Sequence, residues 1–441
     1  MDAHPHARHP LPGPAQSTYA SDPPPGPLDI ANPADCLALV RHTFGGLPQE
    51  SLIVIGLLDG CTGGHMRIDL QPALQEPFTC ARLIADCLAG EGSSPAPEAA
   101  MLMLIGDEAP SQTQDEAWRC CLEALRIVLE AEYCVRIVQT WFLAADHVRD
   151  PLCADPACCG LPGRGIGELR IPTLGGLPNG LPGREPAPLE KAAATFLQRA
   201  PVADTRVEAL LADLRTGNAA HPLPEPRQLR HRLQAWDLAL ARAAAAPQQG
   251  RCIDAEAPRS EDQTATPEEP LAQAQNLIKL LEQLHTGFER DLLIPLATLG
   301  LDHAMAGLRH REGHLVSPPE RAEAAMLQRY AASFLGETRS RPDWQRVDGL
   351  EAVLNALVPY ARGVEREHLL CLMAWIEWAR GRGTAAGSFI DRCLSEFPDN
   401  ELSRIIERLM QLKGVCLWAR TKQHSWSWTR TTGRTTGPSP D

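Results

Sequence analysis

From Ser51 to Leu58 the chain reads SLIVIGLL, an uncharged run with a β-branched centre, which predicts a strand buried on both faces. Asp59-Gly60 is a turn signal, and His65 to Leu70 beyond it predicts a second strand in an antiparallel hairpin with the first. Upstream, Asn32-Pro33-Ala34-Asp35 marks a helix start, with Pro33 at the first helical position and Cys36, Leu37 and Val40 on one face. Gly45-Gly46 ends that helix. Leu83, Ile84, Cys87 and Leu88 have helical spacing, and Ala100 to Ile105 predicts another buried strand. Trp118, Cys121, Leu122, Leu125, Val128 and Leu129 follow the 3.6-residue period, and Tyr133 to Leu143 returns to strand character. Helix, strand, strand, helix, strand, helix, strand is an α/β order. It predicts a small three-layer domain over residues 29–160, with right-handed crossovers wherever strands run parallel.

Beyond it the pattern changes. Residues 161–188 form a Gly/Pro-rich loop without periodicity, and residues 189–242 carry a helical extension. Its stripes are Leu189, Ala192, Ala193, Phe196, Leu197, then Val207, Leu210, Leu211, Leu214, then Leu229, Leu233, Trp236, Leu240. Ala243 to Pro270 reads as a linker, and residues 271–418 as an α-helical domain. The domain closes with Leu369 to Arg380, a Gly381/Gly383 break, and Ala385 to Phe397 before Pro398, a pair resembling a tetratricopeptide hairpin. Within the pair, Trp375 and Trp378 share a helix face. Either both are buried between the helices, or one stays exposed as a docking edge. Residues 1–28 are a proline-rich, disordered lead-in, and residues 419–441 a disordered tail.

Composition narrows the classes of function. The 441 residues allow two or three domains, and the 44% apolar content supports a sizeable core. A formal charge of −13 argues against general nucleic-acid binding and against adhesion to anionic membranes. Trp426 and Trp428, interleaved with Arg420, Lys422, Arg430 and Arg434, could stack on a single strand, but the Thr/Gly/Ser/Pro content there favours an extension. The start shows no basic region leading into an apolar run, and Leu369 to Ala379, which carries Glu377, is too short to span a bilayer. The chain is therefore expected to be cytoplasmic. Its 14 cysteines fit that compartment, because Cys36, Cys80, Cys87, Cys120, Cys134, Cys371 and Cys393 lie in apolar-periodic segments, where a reduced thiol packs as a small hydrophobe.

Three further cysteines stand apart, in Cys153-Ala-Asp155-Pro156-Ala-Cys158-Cys159. Asp155-Pro156 opens a type I turn that folds Cys153 back toward Cys158 or Cys159, and free backbone N–H groups at such a turn favour a thiolate. Three uses remain open: packed structural thiols, a zinc site, or a redox-labile pair. A structural zinc needs four ligands, so a fourth beside Cys153, Cys158 and Cys159 would have to be His147, Asp155 or something distant. Other motifs are weaker. His310 and His314 stand at i, i+4 spacing, but Gly313 weakens the helix that would align them. The glycines of 160–183 neither follow the first strand nor open a helix, as a phosphate cradle would. No nucleophile elbow, His-Glu-x-x-His or Walker loop is present.

Several blocks together resemble an actinobacterial family, domain-of-unknown-function family 4192. They are Gly45, Pro48 and Ser51-Leu52-Ile53-Val54; Arg67-Ile68-Asp69-Leu70; Cys153, Asp155-Pro156 and Cys158-Cys159; and, near the end, Leu370 to Trp378, Gly381, Gly383 and Phe397-Pro398-Asp399. The resemblance covers roughly residues 29 to 418 and is weakest over 245–330. It implies a fold and a candidate patch, and no chemistry. Two departures stand out: Gly46 replaces an aromatic, and Asp146-His147-Val148-Arg149-Asp150 replaces a Gly-Arg-Trp-Trp-like run.

The sequence thus favours an interaction or regulatory module that meets a protein partner through its helical domain. The alternative is an enzyme or a metal- or redox-dependent protein built on Cys153, Cys158 and Cys159 at the carboxyl end of the last strand, where open α/β sheets place ligands.

Overall fold

The computed structural model describes residues 27–44, 46–90, 95–172, 174, 191–198, 226–245, 268–311, 321–421 and 423–426. The proline-rich lead-in, the Val207–Leu214 stripe, most of the expected linker, His314 and the tail beyond Trp426 lie outside these residues.

The N-terminal half is a mixed six-stranded sheet. Helix α1 (Pro33–Phe44) leads into the antiparallel hairpin β1 (Ser51–Leu58) and β2 (Cys61–Asp69). After α2 (Leu70–Gln75) and α3 (Pro77–Ala89), β3 (Ala99–Gly106) pairs antiparallel to the other side of β1. Helix α4 (Gln112–Arg126), prolonged by a π-helical turn over Ile127–Glu132, then carries the chain to β4 (Arg136–Ala144), parallel to β3. Two short strands close the far edge, β5 (His147–Arg149) and β6 (Arg164–Gly165), giving the order β2-β1-β3-β4-β5-β6.

Period-two alternation in β1, β3 and β4 supplies both cores. Leu52, Val54, Leu102, Leu104 and Phe142 face α3 and α4, where Ile84, Leu88, Trp118, Leu122 and Leu125 meet them. Ile53, Ile55, Met101, Met103, Trp141 and Leu143 face the opposite way, onto Cys36, Leu37 and Val40 of α1. These are the three layers expected. Local signals support them: Asn32 Oδ1 accepts the Ala34 N–H at the start of α1, and Ser111 caps α4 through the Gln114 N–H.

One stretch read as loop is in fact folded. After β6, Ile166, Leu169 and Ile171 pack against the α1 core, so the chain beyond the cysteine turn covers the sheet edge. Strands of three and two residues are too short to show alternation, which is why the sequence reads as loop there.

The second half is helical. Its described elements are α6 (Ala192–Leu197), α7 (Pro226–Ala245), α8 (Glu268–Glu282), α9 (Gly287–Leu299), α10 (Leu301–Arg311), α11 (Arg321–Phe334), α12 (Trp344–Leu357), α13 (Gly363–Ala379), α14 (Gly383–Glu396) and α15 (Glu401–Lys413); the short α5 (Pro156–Cys159) belongs to the cysteine turn. Phe196, Leu233, Trp236 and Leu240 join Leu281, Leu292, Leu354, Trp375 and Trp378 in one hydrophobic core, so helices on either side of residues 246–267 pack together. Gly349 permits this closeness, since a Cβ there would stand 2.6 Å from the Leu240 carbonyl oxygen. Helix α13 is buried almost all round and forms the expected hairpin with α14, turned at Gly381 (φ 77°).

Trp375 and Trp378 are 1% and 0% exposed, and each donates its indole N–H, to the carbonyls of Phe334 and Gly414. The docking edge they could have offered is therefore absent. Trp418, at the end of the expected helical domain, is fully buried, and the first residues of the expected tail are ordered: Trp426 covers Arg380 at 4.7 Å while donating to Asp348. The two halves touch through Arg67 on β2, whose guanidinium reaches Ser51 Oγ and Thr384 Oγ1 at the start of α14. No helix among the described residues is long and apolar enough to cross a membrane.

Candidate functional site

The cysteine turn follows β5, not β4. A tight reversal at Ala145-Asp146 sends β5 back along β4, with Val148 opposite Leu143 and Arg149 opposite Phe142. Ala145 takes a positive φ of 48°, a conformation usually given to Gly or Asn, so nothing in the sequence announces the hairpin. The thiols therefore lie off the flank of β4 and not at its carboxyl end as expected.

Asp150 and Asp155 shape the turn. The Asp150 carboxylate accepts the Leu152 N–H at 2.8 Å, and the Cys153 N–H reaches the Asp150 carbonyl at 3.4 Å. Asp155 Oδ1 accepts the Ala157 N–H at 2.9 Å, and its carbonyl takes the N–H groups of Cys158 and Cys159 at 3.1 and 3.0 Å. Residues Pro156–Cys159 form the single helical turn α5. This is the aspartate-led turn that the Asp-Pro pair signals.

The result is a group of three sulfurs. Cys153, Cys158 and Cys159 place their Sγ atoms within 4.8 Å of one another, with Cys158 and Cys159 at 3.5 Å. Cys158 is exposed and the other two are half-buried. Burial pushes the Cys159 thiol up to about 11, assisted by the neighbouring thiols and opposed by a hydrogen bond from the backbone at Asp150.

His147, the nearest imidazole in sequence, is not part of the group. Alternation along β5 explains why: Val148 faces the α1 core, so His147 and Arg149 face the other way. They line a shallow cleft with Ser111, Asp115, Trp118 and Phe142. His147 Nδ1 lies 2.6 Å from Asp146 Oδ1, close but poorly aligned for a hydrogen bond. Arg149 is 7% exposed, sits over the Phe142 ring at 5.3 Å and pairs with Asp115, which also accepts from Arg119 Nε at 2.8 Å. Burial lowers the Arg149 pKa, and the Cys159 and Asp150 charges oppose that shift, so the guanidinium lies within electrostatic reach of the thiols. Sequence reasoning passed over this pair because Asp115 and Arg149 lie on separate elements.

Among the described residues, the remaining cysteines behave as packing groups or lie on the surface. Cys36, Cys80 and Cys121 are buried, and desolvation pushes them up to about 12, 11 and 12. Cys371 and Cys393 are buried 3.7 Å apart between α13 and α14. Cys120 and Cys134, expected inside, are exposed: Cys120 is on the outer face of α4 beside buried Cys121, and Cys134 occupies a turn at φ 58°.

The family model described as "Domain of unknown function (DUF4192)" matches residues 33–339. The chain belongs to this family. The match takes in the whole sheet and the cysteine turn, and it ends before the α13–α14 hairpin. No curated protein and no solved structure matches the chain.

Proposed function

We propose that this protein binds a thiophilic metal ion at the Cys153/Cys158/Cys159 turn, zinc being the common ion such donors take. One observation carries the reading: three sulfurs on a hydrogen-bonded turn lie within 4.8 Å of one another. Tetrahedral bonds of about 2.3 Å to zinc set thiolate sulfurs roughly 3.8 Å apart, a value inside the spread of this group. A bound cation would displace the protons that burial retains on Cys159. The reducing cytoplasm is the compartment that keeps such thiols free, and the helical half is then a support for the sheet.

Metal analysis and thiol titration of the reduced, full-length protein test this reading. The expected result is one equivalent of zinc, three thiols shielded from reagent, and loss of both in Cys158→Ser. Protein that takes up no thiophilic ion after reduction, or that binds zinc equally well with Ser at 153, 158 and 159, would overturn it.

A further inference from the structure

We infer that the cysteine turn is built for a three-coordinate, trivalent thiophilic centre of the arsenite class in preference to four-coordinate zinc. The inference rests on the reading of the turn as a thiolate site and names its ligand. Donor number is the first argument. Among the described residues, no His, Asp, Glu or further Cys joins Cys153, Cys158 and Cys159. His147 faces the Asp115–Arg149 cleft, and the exposed neighbours Leu152 and Leu161 offer no donor. Zinc bound here would have to complete its tetrahedron with water, since the described residues offer no fourth donor. A pyramidal trivalent ion would not, since a lone pair occupies that direction.

Spacing is the second argument. Cys158 and Cys159 stand 3.5 Å apart, tighter than the roughly 3.8 Å set by a tetrahedral zinc. A pyramidal centre, with angles nearer ninety degrees, draws its three sulfurs closer together on one side of the ion. Adjacent cysteines on a single turn with a third folded back upon them present that arrangement. The bonds from Cys158 and Cys159 to the Asp155 carbonyl hold it without a ligand.

Charge is the third. Three thiolates with a divalent ion carry one net negative charge, and with a trivalent centre none. The turn already holds Asp150 and Asp155, whose carboxylates accept its own backbone N–H groups, and Arg149, which Cys159 influences, is committed to Asp115. A neutral complex avoids adding charge to a half-buried, acid-flanked site. Arsenous acid, As(OH)3, condenses with three S–H groups. Three As–O and three S–H bonds break, three As–S bonds form, and each proton leaves with a hydroxide as water. Arsenic stays trivalent, so no oxidant or reductant is needed.

The test uses the reduced full-length chain with arsenite alone and, separately, with zinc alone, read by native mass spectrometry and calorimetry. The expected product gains one arsenic atom less three hydrogens, and arsenite prevents zinc uptake. Cys158→Ser, at an exposed position, should bind arsenite at least ~10-fold more weakly and lose one hydrogen fewer, with its thermal melt unchanged; Cys153→Ser should repeat this. Tight zinc binding that arsenite does not displace overturns the metalloid assignment and leaves the thiolate site standing. Arsenite uptake that survives both substitutions places it elsewhere, for instance at Cys371 and Cys393, and overturns the assignment as well. Failure of both ions overturns the two readings together.

Discussion

Replacing His368 by Asn should remove a defined part of the protein's acid sensitivity. His368 lies on α13, 4% exposed, with Nδ1 2.9 Å from the Leu284 carbonyl oxygen. A carbonyl only accepts, so the ring donates from Nδ1 and has no need of a second proton. Burial pushes its pKa down from 6.5 to about 4, the Arg290 and His285 charges add to this, and the Leu284 carbonyl opposes it. The folded protein therefore keeps the ring neutral, while the unfolded chain protonates it near 6.5. Stability from this group is complete above about pH 6.5 and is lost as pH falls toward about 4. At 1.36 kcal/mol per pKa unit the loss approaches about 3 kcal/mol, of which about 2 kcal/mol has gone by roughly pH 5. Asn keeps an N–H donor near the Nδ1 position and does not titrate, so its packing cost is independent of pH. Urea unfolding of wild type and His368→Asn between pH 7.5 and about 4 should give stability curves that converge toward acid. Parallel curves would refute the neutral buried ring.

Two other substitutions test the cores. Ile53→Ala and Leu102→Ala remove fully buried side chains from opposite faces of the central strands and should each cost about 2–5 kcal/mol in chemical denaturation. A near-neutral effect at both would mean the sheet core is not packed as described. Arg380 is 1% exposed at its side chain and meets Asp348 at 2.6 Å, Glu351 at 2.8 Å and Glu377 at 3.3 Å. Arg380→Ala removes the shared cation, leaving Glu377 with Arg382 and Asp348 with the Trp426 N–H, and should cost about 3–5 kcal/mol in chemical denaturation. A loss under about 1 kcal/mol, the worth of an exposed pair, would refute the buried network.

Legibility in the sequence followed the length of each element and the locality of its signals. β1 and β3 were readable because eight uncharged, mostly apolar residues in a row have few alternatives to a strand covered on both sides. The α4 stripe was readable through several turns, although its π-helical continuation leaves no mark in residue spacing. β5 and β6 were not readable, and the Ala145-Asp146 reversal lacks the glycine or asparagine that would have shown it. The thiol group was legible because all three ligands fall within seven residues around an Asp-Pro turn. His147 was misassigned by the same logic: closeness in sequence put it near the thiols, and alternation across β5 turned it away. Cys416 and Trp418 join the helical core through a short 3-10 turn after Gly414, too brief for any period to reveal.

The position of the thiols also bears on what kind of site this sheet can hold. In open α/β folds a ligand sits outside the carboxyl ends of adjacent parallel strands, and β3 and β4 are such a pair, with Gly106 beside Ala144. Here protein groups cross part of that end, and what stays open is the shallow cleft lined by Ser111, Ala144, His147 and Arg149. β1 runs antiparallel to β3, so Glu50, just ahead of β1, arrives at the same end, and its carboxylate accepts the Asp107 N–H at 2.7 Å. Desolvation and the Glu50 charge raise the Asp107 pKa, as expected for carboxylates crowded together. Across the same gap the Ala145 N–H donates to the Gly106 carbonyl at 2.8 Å, tying the ends of β3 and β4 to each other. The three sulfurs lie one hairpin further along the chain, past β5, on a turn held by Asp150 and Asp155. The ligand proposed for this turn is accordingly an ion, chosen by the number and softness of its donors.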